Sequence, residues 1–386
     1  MKLFKLLTII KTLGVPWSFY RGLYYCYQKT GFQKMLFPSK EIDWINYSTI
    51  CPDISKDDLL DLLENLLFTN VNLDQIKKFY DSNPNVIEDI KKIFYLIKAG
   101  NFPFFSKLKY NVGYPPHWFI NPMNGKAIDS RIHWSKIGDF SSGAGDIKCV
   151  WELSRFSFVY DLVRYYALTR DEEVISVFWQ LINNWMDENK VELGPHWKCG
   201  QEIAMRSIAL LFGLQYFVQS EKSSVSNILR MIGLLRFNAR HIEKNFWYAN
   251  KCIRNNHTIS EAAGLFSIGI LLPFLPESKR WVKKGLRSLN REGMRQIYRD
   301  GTYLQHSHNY QRLVIQLYTW CMIIGREGNI TFYSEIHNKL SKSIMFLYNI
   351  QDNKTGRIPN YGSNDGTLLQ PLSECDYLDY RPQLQT

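Results

Sequence analysis

The stretch from Gln201 to Gln219, QEIAMRSIALLFGLQYFVQ, decides the fold class. Its apolar residues recur at three- and four-residue steps over about five turns, a helical period sustained too long for a strand. The same period returns on both sides. It is read in FSFVYDLVRYYALTR from Phe156, DEEVISVFWQLINNWMDEN from Asp171, SVSNILRMIGLLRFNARHIEKNF from Ser224 and TISEAAGLFSIGILLPF from Thr258. It continues in KRWVKKGLRSLNREGMRQIYRD from Lys279, YQRLVIQLYTWCMIIGRE from Tyr310 and YSEIHNKLSKSIMFLYNI from Tyr333. Short breaks separate these segments, so residues from Val150 to about Ile350 predict an all-α domain built as a ring of helical hairpins. No fixed repeat length appears, which excludes a regular solenoid.

Upstream, residues 101–148 are rich in Gly, Pro, Asn, Ser and aromatics without a helical period. They predict a long irregular segment with a few short strands, of the kind that carries function in compact chains. Residues 1–100 read as an N-terminal helical arm. Ser55 caps a helix starting at KDDLLDLLENLLF, DQIKKFYDS is a further helical stretch, and NVIEDIKKIFYLIKAG stops at Gly100. The domain reading is therefore an arm over 1–100 and a helical domain over 101–386. The tail from Gln351 to Thr386 is turn-rich and polar, and is expected to add no further packing element.

The 386 residues carry 47 Lys+Arg against 36 Asp+Glu, a formal charge of +11, with 45% hydrophobic and 15% aromatic residues. Disordered and fibrous classes are excluded by that hydrophobic content. The positive surplus and aromatic load suit a cleft that stacks on a ligand and attracts anions: nucleic acid, an acidic glycan or a membrane surface. Nucleic acid ranks last, because the basic residues are dispersed and no recognition motif is present. Seven scattered cysteines without a CxxC pair argue against a disulfide framework or a structural zinc site.

The start, MKLFKLLTIIKTLGVPW, mixes Lys2, Lys5 and Lys11 with apolar residues. Lys11 breaks the apolar run and no small-residue cleavage site follows, so the segment reads as retained rather than as a signal peptide. Two readings stand: a helix packed on its own domain, or a basic amphipathic helix in peripheral contact with a membrane. The expected location is the cytoplasm or the inner-membrane surface, with the periplasm as an alternative.

Nucleotide, zinc-protease and serine-hydrolase motifs are absent, and no cofactor or metal is expected. Five polar clusters stand out instead. The first is Trp151-Glu152-Leu153-Ser154-Arg155. The second runs from Trp197 to Arg206, with Glu202 and Arg206 four apart and so on one helix face, either as an ordinary surface ion pair or as a charged face toward a cleft. The third is Asn255-Asn256-His257-Thr258, with Glu261 a turn later; capping explains only part of it. The fourth runs from Asp300 to Tyr310 and holds His306, His308, Tyr303 and Tyr310, the densest acid/base-capable stretch of the chain. The fifth is Pro359-Asn360-Tyr361-Gly362-Ser363-Asn364-Asp365-Gly366, a turn in which Asp365 is either structural or site-lining.

The order and wording of these clusters resemble the heparinase II/III-like, alginate-lyase-like polysaccharide lyases. The resemblance rests on WELSR, W-x-C-x-x-E-x-x-x-R, NNH with EAAGL, DG-x-x-x-x-x-S-x-x-Y and PNYGSNDG, and runs from about Asn101 to Pro382. It implies an incomplete (α/α) toroid whose concave face holds an acidic polysaccharide. It implies further that Asn256 and His257 contact a uronate carboxylate and that Tyr310 is the catalytic tyrosine. Glu202, Arg206, Trp197, Trp151, Arg155 and His308 fall to cleft shape or sugar contact. In the family a β-sandwich follows and supplies a further His or Tyr. This sequence runs only to Thr386, so the expectation is a shortened member or one whose cleft is completed by a partner.

The implied chemistry is β-elimination of a 4-linked uronide. The C5 proton is not acidic while the neighbouring carboxylate carries full charge, so donors that partly neutralise the carboxylate stabilise the enolate. A tyrosine with a depressed pKa near cationic side chains would then serve as acid or base. The alternatives are a non-catalytic glycan-binding or surface-polysaccharide assembly protein and an inverting glycoside hydrolase. The hydrolase needs two carboxyls about 6.5–9.5 Å apart, for which Glu152, Glu202, Asp300 and Asp365 are the candidates.

Overall fold

A computed structural model describes residues 10–12, 14–63, 78, 84–141, 143–373 and 375–384. The arm forms α1 (Val15–Lys29), α2 (Phe32–Leu36), α3 (Trp44–Tyr47), α4 (Lys56–Leu62) and α5 (Pro84–Lys98). Ser55 caps α4 as its sequence position predicts, its hydroxyl accepting from the Asp58 N–H at 3.1 Å. The remainder of that leucine-rich segment and the DQIKKFYDS stretch, Lys78 apart, lie outside the described residues, as do residues 1–9 of the basic start.

The irregular segment supplies three short antiparallel hairpins: β1 (Asn101–Phe104) with β2 (Leu108–Asn111), β3 (Ile120–Asn121) with β4 (Lys126–Ala127), and β5 (Phe140–Ser141) with β6 (Gly145–Asp146). A single turn, α6 (Lys148–Trp151), then runs into a 3-10 turn over Glu152–Arg155.

Beyond it lie the helices read from the periodicity. They are α7 (Phe158–Thr169), α8 (Glu173–Glu188), α9 (Gly200–Phe217), α10 (Val225–Tyr248), α11 (Asn256–Leu271), α12 (Ser278–Gln296), α13 (His308–Glu327) and α14 (Ser334–Asn349). They pair as four successive hairpins. The first members, α7, α9, α11 and α13, pack side by side as an inner layer, and α8, α10, α12 and α14 lie outside them. Burial follows from this arrangement. Helices α9 and α11 are covered on nearly every face, which is why their sequences lack a polar side, whereas α12 keeps a charged outer face. Each wholly buried Leu or Ile, such as Ile208, Leu210 and Leu214, contributes about 1.5–3 kcal/mol over its exposed state.

Among the described residues the arm has no core of its own. Phe37, Trp44, Leu59, Ile90 and Phe94 join the same apolar cluster as the inner helices. Helix α3 lies so close to α10 that a Cβ on Gly233 would collide with the Trp44 carbonyl. Helix α1 packs against the end of α10: Tyr24 stacks on Tyr248 with ring centroids 3.7 Å apart, and the Trp17 indole donates to the Cys252 carbonyl at 2.8 Å. No helix among the described residues is long and apolar enough to cross a membrane.

The tail departs from expectation. It folds back and ends in a packed turn, α15 (Arg381–Leu384), whose Leu384 joins Ile315, Leu347 and Tyr380 in a small apolar cluster. Arg312 of α13 is fully buried between the rings of Tyr377 and Tyr380 and donates to the Tyr377 carbonyl at 2.7 Å. A polar composition concealed these anchors because each depends on partners distant in sequence.

In this alternating arrangement the inner helices begin, and the outer helices end, at one rim of the ring. The N-termini of α9, α11 and α13 carry Glu202, Asn256 with His257, and Tyr310. Three clusters distant in sequence are therefore brought to one rim by topology alone.

Candidate active site at the rim of the ring

Tyr310, Asn256, His257 and Glu202 are each set by a helix start. Ser307 caps α13 by accepting from the Tyr310 N–H at 3.2 Å, and its hydroxyl donates to the Ser363 carbonyl at 2.6 Å. This pins the turn Pro359–Gly366 over the start of α13. Gly362 sits against the His306 and Ser307 backbone with φ near +75°, leaving no room for a Cβ. Asp365 is thereby placed over Tyr310, whose phenol donates to its carboxylate at 2.7 Å. The same carboxylate oxygen lies 3.2 Å from the Lys148 ammonium, and the other Asp365 oxygen accepts from the Thr367 hydroxyl at 2.7 Å and from Asn309 at 3.4 Å.

Beside this pair runs a buried ion network. Arg155 donates to Glu202 through Nε at 2.6 Å and Nη2 at 3.0 Å, and to Glu152 through Nη1 at 2.5 Å. Glu152 also accepts from the Phe105 N–H at 3.0 Å. Two carboxylates thus share one guanidinium. Burial pushes the Glu152 carboxyl up to about 7; Arg155 opposes that shift and Glu202 adds to it. Burial alone would lower the Arg155 guanidinium, but the two carboxylates outweigh it and hold it well above its ordinary value. Burial would also raise Asp365, yet the hydrogen bonds from Thr367 and Tyr310 and the charges of Arg155 and Lys148 hold it at about 2.

Tyr310 is driven the other way. Burial, followed by the Asp365 charge and the hydrogen bond to it, pushes the phenol above its ordinary value. The depressed tyrosine expected from sequence is thus corrected: burial and the Asp365 carboxylate together outweigh the nearby Arg155 charge. His257 is half-buried, and burial lowers its imidazole to about 4, with Lys148 and Arg155 adding to that shift and Glu202 opposing it. Its Nδ1 lies 3.7 Å from the Cys199 sulfur. Asn256 is nearly fully buried, its amide donating to Gln201 at 2.6 Å and its backbone N–H to Gln305 at 3.3 Å. At neutral pH the site therefore holds a protonated phenol, a neutral imidazole and an ionised Asp365.

Four of the sequence candidates do not line this site. Trp197 and Arg206 are wholly buried. The guanidinium lies between the rings of Trp185 and Trp197, at 4.8 and 4.9 Å, and donates to the His196 carbonyl at 2.9 Å. Glu202 pairs with Arg155, not with its helix neighbour Arg206, so neither an exposed ion pair nor a shared cleft face exists. Trp151 is buried in the apolar cluster beneath the hairpins and donates to the Pro195 carbonyl at 2.8 Å. His308 donates from Nδ1 to the Pro359 carbonyl at 2.8 Å and packs on Tyr361, anchoring the tail. Sequence reading missed Lys148, which has no local signal, and the role of Gln201, which lies inside the Trp197–Arg206 motif. The three-residue spacing of Glu152 and Arg155 was a usable clue to their pairing.

The class so defined is an incomplete (α/α) toroid with an acid/base-capable cluster at one rim. The family model described as Heparinase II/III N-terminus matches residues 99–366, and the chain belongs to that family. A heparin-sulfate lyase from Pedobacter heparinus is 22% identical over 173 residues, covering 44% of this chain and 25% of that protein. Two solved structures share the fold. One is a heparinase III gene product with methylated lysines, with a TM-score of 0.53, 18% identity, and coverage of 81% of this chain and 50% of that one. The other is the heparan sulfate lyase HepC from Pedobacter heparinus, with a TM-score of 0.52, 15% identity, and coverage of 91% and 46%. The chain thus spans about a quarter of the curated relative and about half of these solved structures.

Proposed function

We propose that the protein is a polysaccharide lyase acting on an anionic, uronate-containing glycan by β-elimination. The observation that carries this reading is the meeting of the Tyr310 phenol, His257 and Asn256 at one rim, beside the Arg155 network. The resting protonation states divide the work. Asn256 retains an amide N–H beyond the one given to Gln201, and that donor partly neutralises the uronate carboxylate. Neutral His257 accepts the C5 proton as the C4=C5 bond forms. The C4–O4 bond breaks and the Tyr310 phenol gives its proton to O4. This departs from the family-based expectation, which placed His257 on the carboxylate, because a phenol held above its ordinary pKa is an acid and not a base.

The hydrolase alternative requires two carboxyls free to act across the cleft. Glu152 and Glu202 are instead buried and tied to a single guanidinium. A panel of uronate glycans incubated with the protein tests the proposal. Elimination leaves an unsaturated uronide that absorbs at the ultraviolet edge and takes up no oxygen from labelled water; a saturated, labelled product would reject it. The pH–rate profile tests the division of labour. With His257 as base and Tyr310 as acid, activity rises through about pH 4, holds level and falls only in strongly alkaline buffer where the phenol loses its proton, whereas a tyrosine base would make the rate climb throughout the alkaline range.

A further inference from the structure

Next to the catalytic cluster, at the same rim, lies a cavity of about 310 Å³ between α1, the turn joining α10 to α11, and the end of α12. Trp17 and Tyr20 of α1 form one wall. Lys251, Arg254, Arg291 and Arg295 line the other side with Asn250, against a single carboxylate, Glu292. Glu292 is already engaged, at 2.9 Å by Arg291 and 2.6 Å by Arg295. The Lys251 ammonium lies 5.5 Å from the centre of the Tyr20 ring, and exposed Arg254 has no carboxylate partner among the described residues. Four cations facing one anion leave a local surplus that no carboxylate among the described residues neutralises.

The cavity wall adjoins the active-site loop through the chain itself. Arg254 is two residues before Asn256, so their Cα atoms are at most about 7 Å apart. The Arg295 side chain donates to the Arg254 carbonyl at 2.7 Å, and Gln296 to the Asn255 carbonyl at 3.0 Å, fixing the cation-bearing turn to the helix start that carries Asn256 and His257. The volume is at the lower end for a small-molecule pocket and suits one substituted sugar ring.

We propose that this cavity is an anion subsite of the same glycan groove. It would take a sulfate group, or a second carboxylate, on a sugar adjoining the one cleaved, with Trp17 and Tyr20 covering the ring and Lys251 and Arg254 pairing the anion. The inference rests on the uronate-glycan reading of the site. It assigns the N-terminal arm a part in substrate selection: α1 forms a wall of the groove, and the preferred glycan is one bearing a strong anion beside the cleaved uronide.

The test uses the full chain carrying Tyr310→Phe, so that ligand is not consumed. Calorimetry compares a sulfated hexosamine–uronate tetrasaccharide with its chemically desulfated counterpart, before and after adding Lys251→Ala with Arg254→Ala. The proposal expects tighter binding of the sulfated ligand, a loss of about tenfold or more when both cations are removed, and a weaker salt dependence in that variant. Desulfated ligand should bind the two proteins alike. Equal affinity for both ligands, or an unchanged affinity in the double variant, overturns it. Release of anionic phosphatidylglycerol vesicles by the double variant, with tetrasaccharide binding intact, also overturns it by assigning the cavity to a membrane surface. Failure of the lyase reading is separate: if no uronide is cleaved by the wild-type chain while the sulfate preference depends on Lys251 and Arg254, the reaction is rejected and the subsite stands. Circular dichroism of the double variant, together with Arg254→Lys restoring affinity, guards against a folding defect.

Discussion

Replacing Arg155 by Met gives the most quantitative check on the rim network. Arg155 makes three short contacts, at 2.5, 2.6 and 3.0 Å, to two carboxylates whose side chains are only 6% and 5% exposed. Breaking a buried ion pair by removing one partner costs about 3–5 kcal/mol, because the remaining charge is uncompensated. The penalty depends on pH in a determined direction. Glu152 already has its folded-state pKa raised from 4.5 to about 7. Its contribution is therefore fully present below the unfolded pKa and is lost as pH rises through the folded one. That shift is worth about 3 kcal/mol in the wild type. Removing Arg155 raises the Glu152 pKa further, since the guanidinium was lowering it. Denaturant unfolding at pH 5 and pH 8 should show Arg155→Met losing about 3–5 kcal/mol at pH 8 and considerably less at pH 5, where the carboxyl carries its proton. An equal loss at both pH values would refute the network as the source of the effect and leave only lost packing.

Other perturbations follow from the same contacts. Asp365→Asn removes the charge that raises the Tyr310 phenol, so the alkaline limb of the rate profile should move to lower pH while KM changes little; an unmoved limb would separate Asp365 from the tyrosine. Glu261 is buried, with one carboxyl oxygen lacking a hydrogen bond, and burial pushes its pKa well up. Its stability contribution falls as pH rises through that raised value, so Glu261→Gln should match or exceed wild-type stability in alkaline buffer, as read by thermal melts. Gly233→Ala places a methyl group on the Trp44 carbonyl and should destabilise by about 1–3 kcal/mol, with proteolysis near α3 as a second readout.

The helical ring was legible because its signal is local. The period of each segment from Phe156 to Ile350 depends only on neighbours three and four residues away, and the observed helices match those segments with ends shifted by a few residues. The candidate site was legible in part. Asn256, His257 and Tyr310 stand at helix starts, where capping patterns draw attention, and the alternating topology then brings those starts to one rim. The partnerships were not legible. Glu202 was four residues from Arg206 and joined instead Arg155, 47 positions earlier, while Tyr310 found Asp365, 55 positions later. No spacing rule encodes such pairs; they exist only once the hairpins have packed. Trp197 and Arg206 show the converse case, in which a motif that looks like a binding face forms a buried stack that holds the rim in shape.

The central claim is tested most directly by one comparison: initial rates of ultraviolet-absorbing product from a uronate glycan for the wild-type chain and for Tyr310→Phe, which lacks only the phenolic proton donor. The account predicts steady release of unsaturated product by the wild type and a fall of about 10²–10⁴-fold in the variant, the usual contribution of a positioned general acid. An undiminished rate in Tyr310→Phe would contradict it.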